Sequence, residues 1–260
     1  MTDLPRPLAG RRVLVTRTRE RAEGLVDRLH AAGASVAIVP LIATLPIADP
    51  EAIARVAAAV GAAPPPRWVA FTSATSVRLV LGAVGADALA GALVAAVGPA
   101  TAAALDAQGV AADLVAADHD AAGLAAAMLG RGMAGATVWF PVAEGARGGF
   151  AESLGTGGAF VTVQHIYRSV MPVSAAERLG AAFAAGVDAI TLTSGSTARN
   201  LAAALGPEGL PPGVVIVCIG EQTAAEARAS GLAVYAVAGD ASAEGLVSAL
   251  TGCLTPQRLR

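Results

Sequence analysis

The sequence predicts an α/β chain made of two doubly wound parallel-sheet domains, and three observations carry that reading. Short apolar runs alternate with Ala-rich helical patterns from end to end, and strands separated by helices pair in parallel through right-handed crossovers. At 260 residues the chain reaches the size at which a single core stops growing. Three sequence blocks also recur, in the same order and at nearly one spacing, in the two halves.

In chain order, Arg12–Thr16 reads as the first strand, and the helical pattern Arg19–Ala32 closes at Gly33. Ser35–Leu41 is a second strand, ahead of Leu45 and Pro46. Trp68–Thr72 and Leu93–Val97 are strands that run into hydroxyl-bearing turns, and Pro99–Gln108 is a helix ended by Gly109. Thr137–Phe140, Val161–Tyr167, Ala189–Thr193, Val214–Ile219 and Ala233–Ala236 complete the strands, with a helix at Glu221–Ser230 ended by Gly231.

The repeat is visible residue by residue. Trp68-Val-Ala-Phe-Thr-Ser-Ala-Thr-Ser-Val77 matches Ala189-Ile-Thr-Leu-Thr-Ser-Gly-Ser-Thr-Ala198, aligning Ser73 with Ser194. Val97-Gly-Pro-Ala-Thr-Ala-Ala-Ala-Leu105 matches Ile219-Gly-Glu-Gln-Thr-Ala-Ala-Glu-Ala227, and Asp120-Ala-Ala-Gly-Leu124 matches Ser242-Ala-Glu-Gly-Leu246. The domains are therefore read as products of an internal duplication.

Composition excludes several chemistries. Hydrophobic residues make up 55% and charged residues 15%, which excludes a disordered chain. The mean hydropathy of +0.61 calls for a membrane check, but the charge-free stretch Ala88–Leu105 is mostly Ala, Gly and Val, with Gly98-Pro99 and Thr101 inside it, too weakly apolar for a span. All 18 basic residues are Arg. Without Lys there is no Walker-type phosphate loop and no Schiff-base chemistry. A net charge of -2 argues against nucleic acid as a partner. No signal-like segment or disulfide framework is visible, so a cytoplasmic location and no membrane association are expected. His30, His119 and His165 are scattered and read as surface or packing residues, so no metal is expected. No Gly-x-Gly-x-x-Gly fingerprint follows Val13–Arg17, and Gly155-Thr-Gly-Gly-Ala-Phe160 fails at its last position, so no cofactor is expected either.

The repeated turns are what remains. Thr72, Ser73 and Ser76 in one half, and Thr193, Ser194 and Ser196 in the other, follow apolar strands and precede helices. Their hydroxyls can cap those helices, whose first-turn amides can bind an anion. Gly98 and Thr101, and Gly220 and Thr223, repeat the design. For any one motif an ordinary N-cap is the simpler explanation; four in paired copies favour a ligand carrying several carboxylates or phosphates. Arg17 closes the first strand and can meet a carboxylate, with Arg147 and Arg168 weaker candidates of the same kind. Tyr167 ends its strand, where it is either a proton donor or a boundary tyrosine with a packed ring.

These motifs, from Val13-Leu-Val-Thr-Arg17 through Phe71–Val77, Val97–Thr101, Ile166-Tyr-Arg168, Leu192-Thr-Ser194 and Ile219–Thr223 to Ala243–Leu246, resemble the uroporphyrinogen-III synthase family over nearly the whole chain. The resemblance implies two flavodoxin-like domains, residues 1–35 with 172–260 and residues 43–160. They would be joined by antiparallel linker strands at 36–42 and 161–171, with the active site in a cleft between the domains. It implies a cyclising lyase acting on hydroxymethylbilane, a linear tetrapyrrole with acetate and propionate arms; a monomer is expected. Loss of the terminal hydroxyl would give an azafulvene, which bonds to the substituted carbon of ring D to form a spiro intermediate; fragmentation and re-closure then invert that ring. Tyr167 matches the family tyrosine that helps the hydroxyl depart, Thr101 and Thr223 match its threonines, and Ser73 and Ser194 its strand-end serines. Glu221-Gln222 departs from the Gly-Pro type of turn and sets a negative charge beside an anion site. The residues alone also admit a non-catalytic binder of a polyanionic ligand, while a nicotinamide oxidoreductase is weakened by the missing fingerprint.

Overall fold

The structure, a computed structural model, describes residues 6–146 and 149–254. It is an α/β fold with parallel sheets and, among the described residues, ten α-helices. By contacts the chain divides into two compact units, residues 1–43 with 170–260 and residues 44–169.

In the first unit, strands β1 (Arg12–Val15), β2 (Ser35–Ile38), β9 (Ala189–Leu192), β10 (Val215–Cys218) and β11 (Ala236–Val237) lie in the order β11-β10-β9-β1-β2. All neighbouring strands of this sheet pair in parallel. The strands alternate between two cores, as a doubly covered sheet requires. Val13, Val15 and Val217 pack with Leu25 and Leu29 of α1 (Arg19–Ala31) and Leu246 and Leu250 of α10 (Ala243–Leu254). Leu14, Ile190 and Ile216 pack on the other face with Leu179 of α7 (Ala175–Ala184), Leu201 of α8 (Gly195–Leu205) and Ala224 of α9 (Glu221–Ala229).

The second unit contains β3 (Ala43–Pro46), β4 (Arg67–Phe71), β5 (Leu93–Ala96), β6 (Leu114–Val115), β7 (Thr137–Ala143) and β8 (Phe160–Val170), in the order β3-β8-β7-β4-β5-β6. From β4 to β8 the pairings are parallel. One face carries α2 (Pro50–Ala62), α3 (Ala74–Val84) and α4 (Pro99–Asp106) over Val69, Phe71 and Trp139. The other carries α5 (Ala121–Leu129) and α6 (Phe150–Thr156) over Trp68, Val138 and Phe140.

Two elements differ from the sequence reading. Within the expected linker segments, residues 36–38 pair in parallel with β1 and residues 161–167 in parallel with β7, while β8 has β3 at its other edge. Packing explains this. Val36 and Ile38 of β2 pack on the α1/α10 core while Ala37 meets the opposite one, and Ile166 of β8 is a core residue. The short strands β3 and β6 were unread, the first because its Pro46 suits only an edge position.

Corresponding loops reuse one device ahead of α5 and α10. Gly123 N donates to Asp120 Oδ1 at 2.7 Å and Gly245 N to Ser242 Oγ at 3.0 Å, so each glycine sits at the third helical position behind a cap. A Cβ on Gly245 would lie 2.5 Å from the Asp240 carbonyl oxygen, whereas one on Gly252, in the same helix, meets nothing. Gly245→Ala is therefore expected to cost about 2 kcal/mol, and Gly252→Ala to gain up to about 1 kcal/mol of helix propensity. Thermal denaturation of the two variants checks the contrast.

Candidate active site

Parallel strands send their carboxyl ends to one edge of a sheet, where the next helix begins, so each unit gathers its candidate residues on one edge. In the second unit, β4 passes through half-buried Thr72 into Ser73, the N-cap of α3. Ser73 Oγ accepts the Ser76 amide at 3.0 Å, as an N-cap should. It also lies 2.9 Å from Ser76 Oγ and 3.1 Å from Tyr167 Oη.

Tyr167 reaches across β7 because β8 is irregular there. His165 stands opposite Val142 but Tyr167 stands opposite Ala143, which leaves Ile166 as an extra residue. In a regular strand Ile166 and Tyr167 would face opposite sides; with the bulge, both pack against the cluster that includes Phe71, Val77 and Trp139. Glu144 N donates to Tyr167 O at 2.7 Å, fixing the main chain past the bulge. Before it, Gln164 accepts from Trp139 Nε1 at 3.0 Å and donates to Ala52 O at 3.1 Å, tying β8 to α2.

On the next strand end, Gly98 has extended backbone and leads into α4, whose Thr101 is buried. The need for glycine here is the imidazole of His119: a Cβ on residue 98 would lie 3.1 Å from His119 Nδ1. His119 has φ +54°, and its Nδ1 donates to Ala116 O at 3.0 Å, which holds the ring beside the turn.

In the first unit the candidates occupy three adjacent strand ends. Ser194, after half-buried Thr193, caps α8 in a reciprocal box: its Oγ accepts from Thr197 N at 3.3 Å while Thr197 Oγ1 accepts from Ser194 N at 3.2 Å. Ser196 Oγ lies 3.1 Å from Ser194 Oγ. Gly220 precedes α9, whose Thr223 is buried, and a Cβ on Gly220 would meet nothing, so this turn stays open where Gly98 is covered. Glu221 turns along its helix to Arg228, 2.6 Å away, so the charge that departs from the Gly-Pro pattern is paired. Arg17 is half-buried at the end of β1; burial, and then the charge of Arg21, hold its guanidinium below the usual value. Among the described residues it has no carboxylate partner, which suits a cation kept for an acidic ligand.

The structure thus joins Tyr167, Ser73 and Ser76 directly, and lines up Arg17, Ser194 and Gly220 on neighbouring strands. Arg168 faces Glu144 at 4.0 Å, a solvated pair. Arg147 lies outside the described residues. Sequence reasoning missed the bulge at Ile166 and the cover of His119 over Gly98, for neither leaves a local signature.

Comparison with known proteins gives this arrangement a family. The family model "Uroporphyrinogen-III synthase HemD" matches residues 6–248. A protein of Methanothermobacter thermautotrophicus, provisionally named a uroporphyrinogen-III synthase, is 32% identical over 199 residues, 72% of this chain and 75% of that one. The chain belongs to the uroporphyrinogen-III synthase family. It is accordingly a cyclising lyase of porphyrin and heme biosynthesis. Two solved structures share its fold. A mutant uroporphyrinogen III synthase from the extremely thermophilic bacterium Thermus thermophilus has a TM-score of 0.54 at 21% identity, covering 92% of this chain and 96% of that one. The uroporphyrinogen-III synthetase of Helicobacter pylori has a TM-score of 0.61 at 14% identity, covering 94% and 99%.

One consequence concerns the strand behind the open turn of this synthase fold. Cys218 is buried at the end of β10, and burial pushes its thiol up to about 11 from 9.0. The folded state then keeps the proton over a range where the unfolded chain has lost it. Stability supplied by the neutral thiol is full below pH 9 and falls by about 1.4 kcal/mol per pH unit as pH rises toward 11. Denaturant titrations across that window should show a steeper loss for the wild type than for Cys218→Ala; equal slopes would contradict it.

Proposed function

We propose that the chain closes hydroxymethylbilane to uroporphyrinogen III with inversion of ring D, and that Tyr167 is its catalytic residue. The observation that carries this is the contact between Tyr167 Oη and Ser73 Oγ at 3.1 Å, which sets a phenol at the carboxyl edge beside the N-terminus of α3. There the phenol donates its proton to the departing hydroxyl, which leaves as water. The azafulvene so formed bonds to the substituted carbon of ring D; fragmentation of the spiro intermediate and re-closure give the inverted ring. Positioning of the ring carbons dominates over acid strength, because the azafulvene forms readily.

The carboxylate arms of the substrate are bound by helix N-termini and hydroxyls: Thr72 and the first-turn amides that follow Ser73 at α3, Gly98 and Thr101 at α4, Thr193, Ser194 and Ser196 at α8, Gly220 and Thr223 at α9, with Arg17 as the cation. The amide donors of α4 and α9 support this role, since neither helix has a side-chain cap. Backbone binding of this kind explains why a catalytic constellation is nearly absent from the sequence.

The two units are also proposed as copies of one ancestral unit, acting as two domains of a cytoplasmic monomer. Aligned by the repeat, β9-β10-β11 and β4-β5-β6 hold the same places in their sheets, with β1-β2 and β7-β8 in the next two and β3 added at the far edge of the second sheet. Ile219 N bonds Leu192 O as Val97 N bonds Phe71 O, both at 2.9 Å.

Incubation with hydroxymethylbilane and isomer analysis of the product tests the activity. Type III product is expected; type I alone, the spontaneous product, would make the chain a non-catalytic binder. Tyr167→Phe should lower the turnover number for type III formation by about tenfold to a hundredfold without abolishing it. Wild-type turnover in that variant would remove Tyr167 from the mechanism.

A further inference from the structure

Ser76 is a polar residue that the carboxylate-binding reading leaves without a task. Its side chain is 0% exposed, so it cannot touch a ligand at the edge. Its hydroxyl lies 2.9 Å from Ser73 Oγ, and that oxygen lies 3.1 Å from Tyr167 Oη.

We propose that Ser76 and Ser73 form a one-way chain of hydroxyls that holds the Tyr167 phenol with its proton outward, so that both serines act through Tyr167 rather than by gripping substrate. The inference rests on the role of Tyr167 given above. Hydrogen counting sets the direction. Either oxygen of the Ser76–Ser73 pair could donate, but a buried hydroxyl places its one hydrogen on an acceptor, and the hydrogen-bond partner of Ser76 Oγ among the described residues is Ser73 Oγ. Ser73 Oγ also accepts the Ser76 backbone N–H at 3.0 Å, so both of its acceptor positions are filled. Its own hydrogen is left to point at Tyr167 Oη. The phenol, accepting from Ser73, then turns its hydrogen away from the serines and toward the leaving hydroxyl. When that proton departs, the phenolate oxygen keeps the Ser73 hydrogen bond, which is backed by Ser76 and the positive end of α3.

The repeated motif shows that this is a choice. The counterpart of Ser76 is Thr197, whose Oγ1 donates to Ser194 O at 2.7 Å and accepts from Ser194 N. Thr197 Oγ1 also lies 3.2 Å from Ser194 Oγ, but its one hydrogen is spent on the Ser194 carbonyl inside the capping box and is not donated to that hydroxyl. Of two motifs alike in sequence, the one facing a tyrosine carries the free relay.

Ser76→Ala tests the chain cleanly, since Ser73 still caps α3 in that variant and the buried volume changes by one oxygen. Against the wild type it should lower kcat for type III formation about fivefold, the value of one lost hydrogen bond in the transition state, with KM within about twofold. In a Tyr167→Phe background the same substitution should change nothing further. Equal losses in both backgrounds, a raised KM at unchanged kcat, or no effect would each overturn the inference. NMR of protein carrying tyrosine labelled at Cζ supplies a readout independent of turnover. Ser76→Ala should move the Tyr167 resonance and leave that of exposed Tyr235 in place; an unmoved Tyr167 resonance also overturns it. A wild type that gives type I product alone would sink the proposed function, while the NMR result would still decide the hydroxyl chain.

Discussion

Parallel strand pairing is the constraint on which every other feature of this molecule depends. It directs all carboxyl ends of a sheet to one edge and starts a helix beside each of them, so amide donors and hydroxyls gather there without any long-range design. In the first unit Arg17, Ser194 and Gly220 stand on neighbouring strands for that reason alone. In the second unit Ser73 and Gly98 do the same, and Tyr167 joins them only because β8 gains a residue at Ile166.

The two edges look alike in sequence and differ in chemistry. One has an open turn at Gly220, a hydroxyl locked into a capping box and a guanidinium with no carboxylate partner among the described residues. The other has a turn covered by His119, and serine hydroxyls that lead to a phenol. Ring inversion requires one of four similar pyrroles to be treated unlike the others.

Much of the fold was legible in the sequence. Val13, Leu14 and Val15 announce a strand buried on both faces, and Gly33, Gly109 and Gly231, all at positive φ, end their helices where expected. The caps at Ser73 and Ser194 were legible too, because a hydroxyl between an apolar strand and a helical pattern has few other uses. Strand partners were not. Residues 36–42 read as a linker because neither partner choice nor sheet order is written locally; β2 joins β1 only once α1 and α10 cover it. The bulge at Ile166 and the ring of His119 over Gly98 depend on register and on contacts between distant segments, so period and composition are blind to them.

The most direct test of carboxyl-edge binding is an amide NMR titration with uroporphyrinogen III. The account predicts the largest shifts at the amides of residues 72–76, 98–101, 193–196 and 220–223, with little change at Gly10, Ser35 and Gly186, which line a cavity of about 340 Å³ beside Arg12, the residue that opens β1. Shifts concentrated at those last three residues, with the helix N-termini unmoved, would contradict it.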